Sequence, residues 1–334
     1  MPSRSTPRVL AVGLDSVDRG LLMRLVGEGR LPHLAELLAS GRFAPVRSPP
    51  GLGDDAVWAS FSSGLPPGRH ARFFWQRLWP GRYDMTGHRD DDSVPPPFWD
   101  TLARAGRRVA VIDVPKSPMV TRDGCVQLCD WLVHGRDGPT RSHPADLAVR
   151  ILEAYGDDRI DRPGTDDFLC GEHALPPDLH DEFLHRLHAG LEAKGRAVGA
   201  LLDDGPWDLF LVVFKEGHCA GHEFWSRVGQ ADDPVADTYA RLDAVVGELL
   251  ARVDDDTHVL VFSGLGMAEN HTAEHLLDRA LLRLEPHLSR LVADAWPRLA
   301  ALEDRIRRRW RPDRPTSVAR SLRTAYQVPH NELA

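Results

Sequence analysis

The sequence predicts an α/β protein: a largely parallel, doubly wound sheet with helices on both faces. Short β-rich apolar runs alternate with longer amphipathic stretches, the pattern of strands that cross over through helices into one sheet. The most hydrophobic run, Leu209 to Phe214, is too short for a core helix and too apolar for a half-exposed strand, so it reads as a strand buried on both faces.

In order along the chain, strands are expected at Arg8 to Leu14, Arg108 to Val114, Val126 to Leu132, Asp208 to Phe214 and His258 to Ser263. Amphipathic periodicity places helices at Arg19 to Glu28, His33 to Ser40, Phe98 to Ala105, Ala145 to Tyr155, Pro177 to Leu202 and Val235 to Val253. Residues 65–97, rich in Pro, Gly and Arg with interleaved aromatics, are expected to form a long loop or cap. Residues 157–172 are expected to be a surface excursion. The charged tract from Leu281 to Arg311, with five arginines after Glu303, reads as a solvated helix face. The 334 residues are read as a single α/β domain over 1–334, since neither irregular segment resembles an interdomain linker.

Hydrophobic content of 42% and charged content of 27% are those of a globular protein, and no apolar run approaches the roughly 20 residues of a membrane span. The net charge of −8 argues against a nucleic-acid backbone as main partner, because phosphate binding needs a basic face. The four cysteines show no C-x-x-C spacing and the N-terminal residues lack the apolar stretch of a signal peptide. The expectation is a cytoplasmic protein with reduced thiols, no membrane and no nucleic-acid partner.

Three groups of residues carry candidate chemistry. Asp15 closes the first strand at the carboxyl edge of the sheet, where ligands collect; it serves equally as an N-cap for the next helix. Asp54 and Asp55 follow a Gly/Pro-rich segment at the start of a helix-like stretch, where a negative charge is stabilised by about 0.3–1 kcal/mol and capping alone explains them. His218 and His222 follow the buried strand at an i, i+4 spacing, so both imidazoles share one helix face and can converge on a metal ion. The alternative is a partly buried metal-free pair. Glu216 and Glu223 are nearby acids able to orient a histidine, and Cys219 points to the core.

Taken in order, these pieces resemble the alkaline phosphatase superfamily, in particular its type I phosphodiesterase/nucleotide pyrophosphatase branch. The resemblance is carried by the strand ending in Asp15, by Leu31-Pro-His-Leu-Ala-Glu-Leu-Leu-Ala-Ser-Gly41 and by Val57-Trp-Ala-Ser-Phe-Ser-Ser-Gly-Leu-Pro-Pro-Gly-Arg-His70. It continues through Trp207 to Phe214 with the histidine pair, Tyr239-Ala-Arg-Leu-Asp243 and His258 to Met267. It implies an alkaline-phosphatase-like fold and hydrolysis at a phosphoryl, sulfuryl or related anionic group by two metal ions, with Asp15 serving one metal and His218 and His222 the other.

Three departures qualify it. The position of the family's nucleophilic Thr or Ser falls on Asp54, which cannot form the usual phosphoserine or phosphothreonine intermediate. Gly264 and Leu265 stand where two further ligands are expected. The chain also ends, after Tyr326, where relatives continue to a last histidine ligand; His271 or His275, or a partner chain in a homo-oligomer, is the candidate replacement. The expectation is a reduced, single-metal centre of Asp15, Asp54, His218 and His222 holding a divalent ion, with zinc favoured and Mn or Fe open, acting on a small anionic substrate with Asp54 as catalytic ligand or base. Two alternatives stand beside it: an inactive family member that binds or scaffolds, and a centre redirected to another metal-dependent reaction in biosynthesis.

Overall fold

Six consecutive apolar residues, Leu209 to Phe214, need cover on both sides, and in the computed structural model of the chain they lie inside a six-stranded sheet. The structure describes residues 8–48, 51–74, 76–78, 85–88, 95–133, 139–157, 160, 175–269 and 283. The chain divides into two compact units, Met1–Glu269 and Asn270–Ala334, and every element below lies in the first.

The first strand, β1 (Arg8–Leu14), is followed by α1 (Arg19–Gly27), α2 (Pro32–Ser40), α3 (Asp54–Ser63) and the single turn α4 (Pro67–His70). A small antiparallel ribbon of β2 (Gln76–Leu78) and β3 (Met85–Gly87) leads to α5 (Phe98–Arg104) and β4 (Val109–Ile112). Next come β5 (Cys125–Cys129), β6 (Arg141–His143), α6 (Asp146–Tyr155) and the long α7 (His180–Asp203). The final stretch is β7 (Leu209–Phe214), α8 (Glu216–Phe224), α9 (Pro234–Leu250) and β8 (Thr257–Phe262).

The main sheet runs β6-β5-β4-β7-β1-β8, parallel throughout except for β6, which pairs antiparallel with β5. The two-residue period of a strand sends alternate side chains to opposite cores. Leu10, Val12 and Leu14 of β1 and Phe210, Val212 and Phe214 of β7 face a core shared with α1, α2, α7, α8 and α9. Ala11, Leu209, Leu211 and Val213 face the other way, toward Trp58 of α3 and Trp99 and Ala103 of α5. Helices cover both faces, as a doubly wound sheet requires.

Most expected strands and helices are present, β6 is an addition to them, and two segments differ. The strand expected over Val126 to Leu132 ends at Cys129, because Asp130 adopts a left-handed backbone (φ 61°) that no strand continues through. The described part of residues 65–97 is not a plain loop but holds α4 and the β2/β3 ribbon. Residues 161–172 of the second excursion, and the tract 281–311 apart from Arg283, lie outside the described residues. Among the described residues no helix is long and apolar enough to cross a membrane.

Candidate active site

The carboxyl edge of the sheet gathers the candidate residues. The Asp15 N–H donates to the Phe214 carbonyl at 2.8 Å, extending the β1/β7 ladder by one step, and Ser16 then turns the chain with a left-handed φ of 54°. The N-cap of α1 is Asp18, whose side chain accepts from the Leu21 N–H. Capping therefore does not account for Asp15, which is buried with its side chain aimed elsewhere.

It is aimed at His218. The helix α8 starts two residues after β7, and its Gly217 lies against Val17, where a Cβ would stand 2.9 Å from the Val17 side chain. That close approach brings the first turn of α8 down onto the end of β1. Asp15 Oδ2 lies 2.8 Å from His218 Nδ1, and Ser16 Oγ lies 3.1 Å from the same nitrogen. His218 Nε2 in turn lies 2.7 Å from His222 Nε2, with the rings stacked at 4.6 Å between centroids. The i, i+4 spacing thus brings the two imidazoles together on one face of α8.

Glu223 is turned away from the pair. Glu223 accepts from the Leu175 N–H and pairs with His180, and the carboxylate that orients His218 is Asp15. Cys219 is buried in the core, as expected.

Asp54 opens α3, whose N-cap is Gly53. One of its oxygens accepts from the Asp55 N–H, and the other accepts from the Lys116 ammonium at 2.6 Å. The same ammonium donates to Asp55 Oδ2 at 2.6 Å, while Arg72 Nε and Nη2 hold Asp55 Oδ1 at 3.0 and 2.9 Å. His70 completes this corner: its Nδ1 accepts from the Arg72 N–H, which leaves Nε2 to donate to Ser60 Oγ. Arg72, one of the arginines of the 65–97 segment, is therefore a buried partner of Asp55.

Burial and charge set the protonation states. Burial pushes the Asp54 carboxyl up, but Lys116 beside it, and then His218, outweigh burial and hold it below the usual carboxylate range. Burial pulls the Lys116 ammonium down, and the two aspartates more than reverse this, so it stays charged. Burial and the neighbouring His218 push His222 down to about 4, which leaves it neutral at pH 7 with Asp15 and Asp54 pulling the other way. Asp54 acts electrostatically on both imidazoles of the buried Asp15–His218–His222 line, while its own hydrogen bonds go to Asp55 and Lys116.

Lys116 is the residue the sequence did not single out. A signal existed: of 41 Lys and Arg residues only three are lysine, Lys116, Lys194 and Lys215. Lys194 and Lys215 are fully buried, and the Lys116 side chain is 14% exposed. A chain that places arginine nearly everywhere else keeps lysine where a compact point charge fits and a planar guanidinium does not.

The donor set can be tested against a divalent cation. Neutral imidazole is a good ligand for zinc, manganese or iron, and a carboxylate behind the ring is the usual orienting partner of a metal-bound histidine. Two nitrogens at about 2.0–2.1 Å from a tetrahedral zinc stand about 3.3 Å apart, so the pair would need to open by about 0.6 Å. The chemistry of His218, His222 and Asp15 fits an ion on those terms. That of Asp54 does not, because an ammonium already stands on it. Among the described residues no group of three or more His, Cys, Asp or Glu side chains is arranged to hold a metal ion, and His271 and His275 lie outside the described residues.

The remaining ligand-position departures are visible as packing. Gly264 follows β8 and leaves room for Val57, whose side chain a Cβ there would meet at 2.7 Å, and the Gly264 carbonyl accepts from Ser48 Oγ at 2.7 Å.

Comparison with known proteins agrees with this architecture. The family profile described as type I phosphodiesterase / nucleotide pyrophosphatase matches residues 9–331. Phosphonoacetate hydrolase from Sinorhizobium meliloti 1021, in complex with phosphonoacetate, is similar in structure, with a TM-score of 0.55 and 19% identity over 83% of this chain and 63% of that one. Its complex with phosphonoformate gives 0.52 and 18% over 82% and 62%. At that identity the likeness is one of fold, and the chain spans less than two thirds of the length of those hydrolases. No curated protein matches the sequence significantly.

Proposed function

The chain belongs to the type I phosphodiesterase/nucleotide pyrophosphatase family, and from that membership and the geometry we propose that it is a metal-dependent hydrolase of a phosphoryl, sulfuryl or related small anionic group. The observation that carries this reading is the buried line of Asp15, His218 and His222 at the carboxyl edge of the sheet. A carboxylate at the end of β1 and two histidines of α8 have no packing need to meet there.

In this reading His218 and His222 hold one divalent cation, with zinc favoured and manganese or iron next, and Asp15 fixes the His218 ring through Nδ1. A bound ion supplies Lewis acidity to the anionic group and lowers the pKa of water toward about 7. Asp54, kept ionised by Lys116, is too weak a base to take a proton efficiently at neutral pH. It accepts a hydrogen bond from the attacking water and fixes its direction, and it forms no covalent intermediate. Ser16, hydrogen-bonded to His218, holds the turn on which Asp15 sits.

The test is hydrolysis of p-nitrophenyl phosphate, bis(p-nitrophenyl) phosphate and p-nitrophenyl sulfate by purified protein supplied with Zn2+, Mn2+ or Fe2+. Metal-dependent turnover of at least one ester is expected, falling by about 100-fold or more in Asp54→Ala and His222→Ala. Turnover that ignores metal, or survives both substitutions, overturns the reading. No turnover of any ester by metal-loaded protein favours a binding or scaffolding role.

A further inference from the structure

The sequence leads one to place Asp54 among the ligands of the metal, yet its carboxylate is already engaged. The Lys116 ammonium lies 2.6 Å from Asp54 Oδ2 and 2.6 Å from Asp55 Oδ2, bridging two adjacent carboxylates as a cation would. We infer that Lys116 is the resident cation of this corner, and that it closes Asp54 and Asp55 to a divalent metal.

Four features of the corner support this. Arg72 grips Asp55 with Nε and Nη2 and donates from Nη1 to the Lys116 carbonyl at 3.3 Å, so one buried guanidinium fixes both ends of the bridge. Lys116 itself has a left-handed φ of 55°, which an L residue adopts only when its surroundings enforce it. The segment is stiff: Pro115 and Pro118 flank it, and Ser117 Oγ donates to the Val114 carbonyl at 2.8 Å. The charges also balance, with Asp54 and Asp55 set against Lys116 and Arg72. A divalent ion bound to Asp54 would stand a few ångströms from a fixed ammonium, and the like charges would repel in a partly buried site where water screens them only in part.

The choice of lysine follows from shape. An ammonium can direct separate N–H donors at two oxygens from neighbouring residues while staying within hydrogen-bond length of each, whereas a guanidinium presents a flat fork. This chain uses arginine for all but three of its 41 Lys and Arg residues, so a lysine here is not a default basic residue.

The inference deepens the reading of a single-metal centre at the imidazole pair, and it is tested by counting ions rather than by activity. Full-length protein, stripped and dialysed against Mn2+, is analysed for bound manganese per chain as wild type, Asp54→Asn, Lys116→Met, Lys116→Met/Asp54→Asn and His222→Ala, with the fold checked by circular dichroism. Asp54→Asn is expected to leave the count and the affinity within about threefold of wild type. Lys116→Met is expected to bind one more ion than wild type, and adding Asp54→Asn to it is expected to remove that ion. Loss of manganese in Asp54→Asn, or an unchanged count in folded Lys116→Met, overturns the inference. Should Lys116→Met not fold, Asp54→Asn alone decides it. The centre at the imidazole pair fails separately, by a wild-type protein that binds no manganese or by a count that His222→Ala does not lower.

Discussion

The Asp15 carboxylate and the His218 ring, 203 residues apart in the chain, meet at 2.8 Å in a buried corner where the end of β1 touches the first turn of α8. The direction of that contact matters more than its length. With Nδ1 turned to Asp15, the other ring nitrogen of His218 is turned to His222, so carboxylate and imidazoles form a line rather than a cage. In the proposed single-metal centre, Asp15 acts through His218, as an orienting partner.

Substituting Asp15 should therefore weaken metal binding without abolishing it. Asp15→Asn is expected to lower Zn2+ affinity by about 10- to 100-fold, the usual cost of losing an orienting partner, whereas loss of a direct ligand costs more. Competition with a chromophoric chelator measures it. An Asp15→Asn protein as defective as His222→Ala would make Asp15 a ligand.

The fully buried pair of Lys194 and Asp113 should be a large structural contribution. Its Nζ and Oδ2 stand 2.8 Å apart with neither side chain exposed, and Asp113 also accepts the backbone N–H groups of Trp131 and Leu132. Lys194→Met leaves the carboxylate buried without its counter-ion and is expected to cost about 3–5 kcal/mol in urea unfolding. Adding Asp113→Asn should recover part of that loss, because the uncompensated charge is then gone.

How much of this was legible beforehand depends on what carries each feature. Strands buried on both faces announce themselves as apolar runs, so β1, β4 and β7 could be read within about two residues, and β8 could be read equally well although it is only half covered. The strand β6, three polar residues at the sheet edge, has no such signature. The histidine pair and Asp15 could be read because spacing and strand-end position are local. The Lys116 bridge could not, since it joins residues about sixty positions apart and its only trace is the scarcity of lysine. Asp243 could be read only as part of a resemblance; its physical task is long-range.

That task predicts a stability effect. No side chain at the start of α2 caps the helix, and Asp243 of α9 reaches across to accept the His33 and Leu34 N–H groups at 3.2 and 2.8 Å. Asp243→Ala strands two helix-terminal donors and is expected to cost about 1–3 kcal/mol, with little change in metal content. Chemical denaturation combined with metal analysis separates the two effects.

His188 should make the fold weaker in mild acid. Its Nε2 donates to Thr238 Oγ1, which donates to the Pro234 carbonyl, and burial followed by Arg241 push it from 6.5 to about 4. The folded state holds it neutral while the unfolded chain takes up a proton, so its contribution is whole above pH 6.5 and is lost as pH falls from there to about 4. Because His188 is only partly buried, solvent screening reduces the effect to about 1–2 kcal/mol. His188→Gln keeps a donor for Thr238 and removes the titration, so the wild type should lose more stability than the variant between pH 7 and 4. Equal losses would show that His188 does not carry it.

Whether His218 and His222 share one metal ion is read by pulsed electron paramagnetic resonance of the Mn2+-loaded protein. Couplings from two imidazole nitrogens are predicted for the wild type and from one in His222→Ala. A manganese signal without nitrogen coupling, or one that His222→Ala leaves unchanged, would contradict the account.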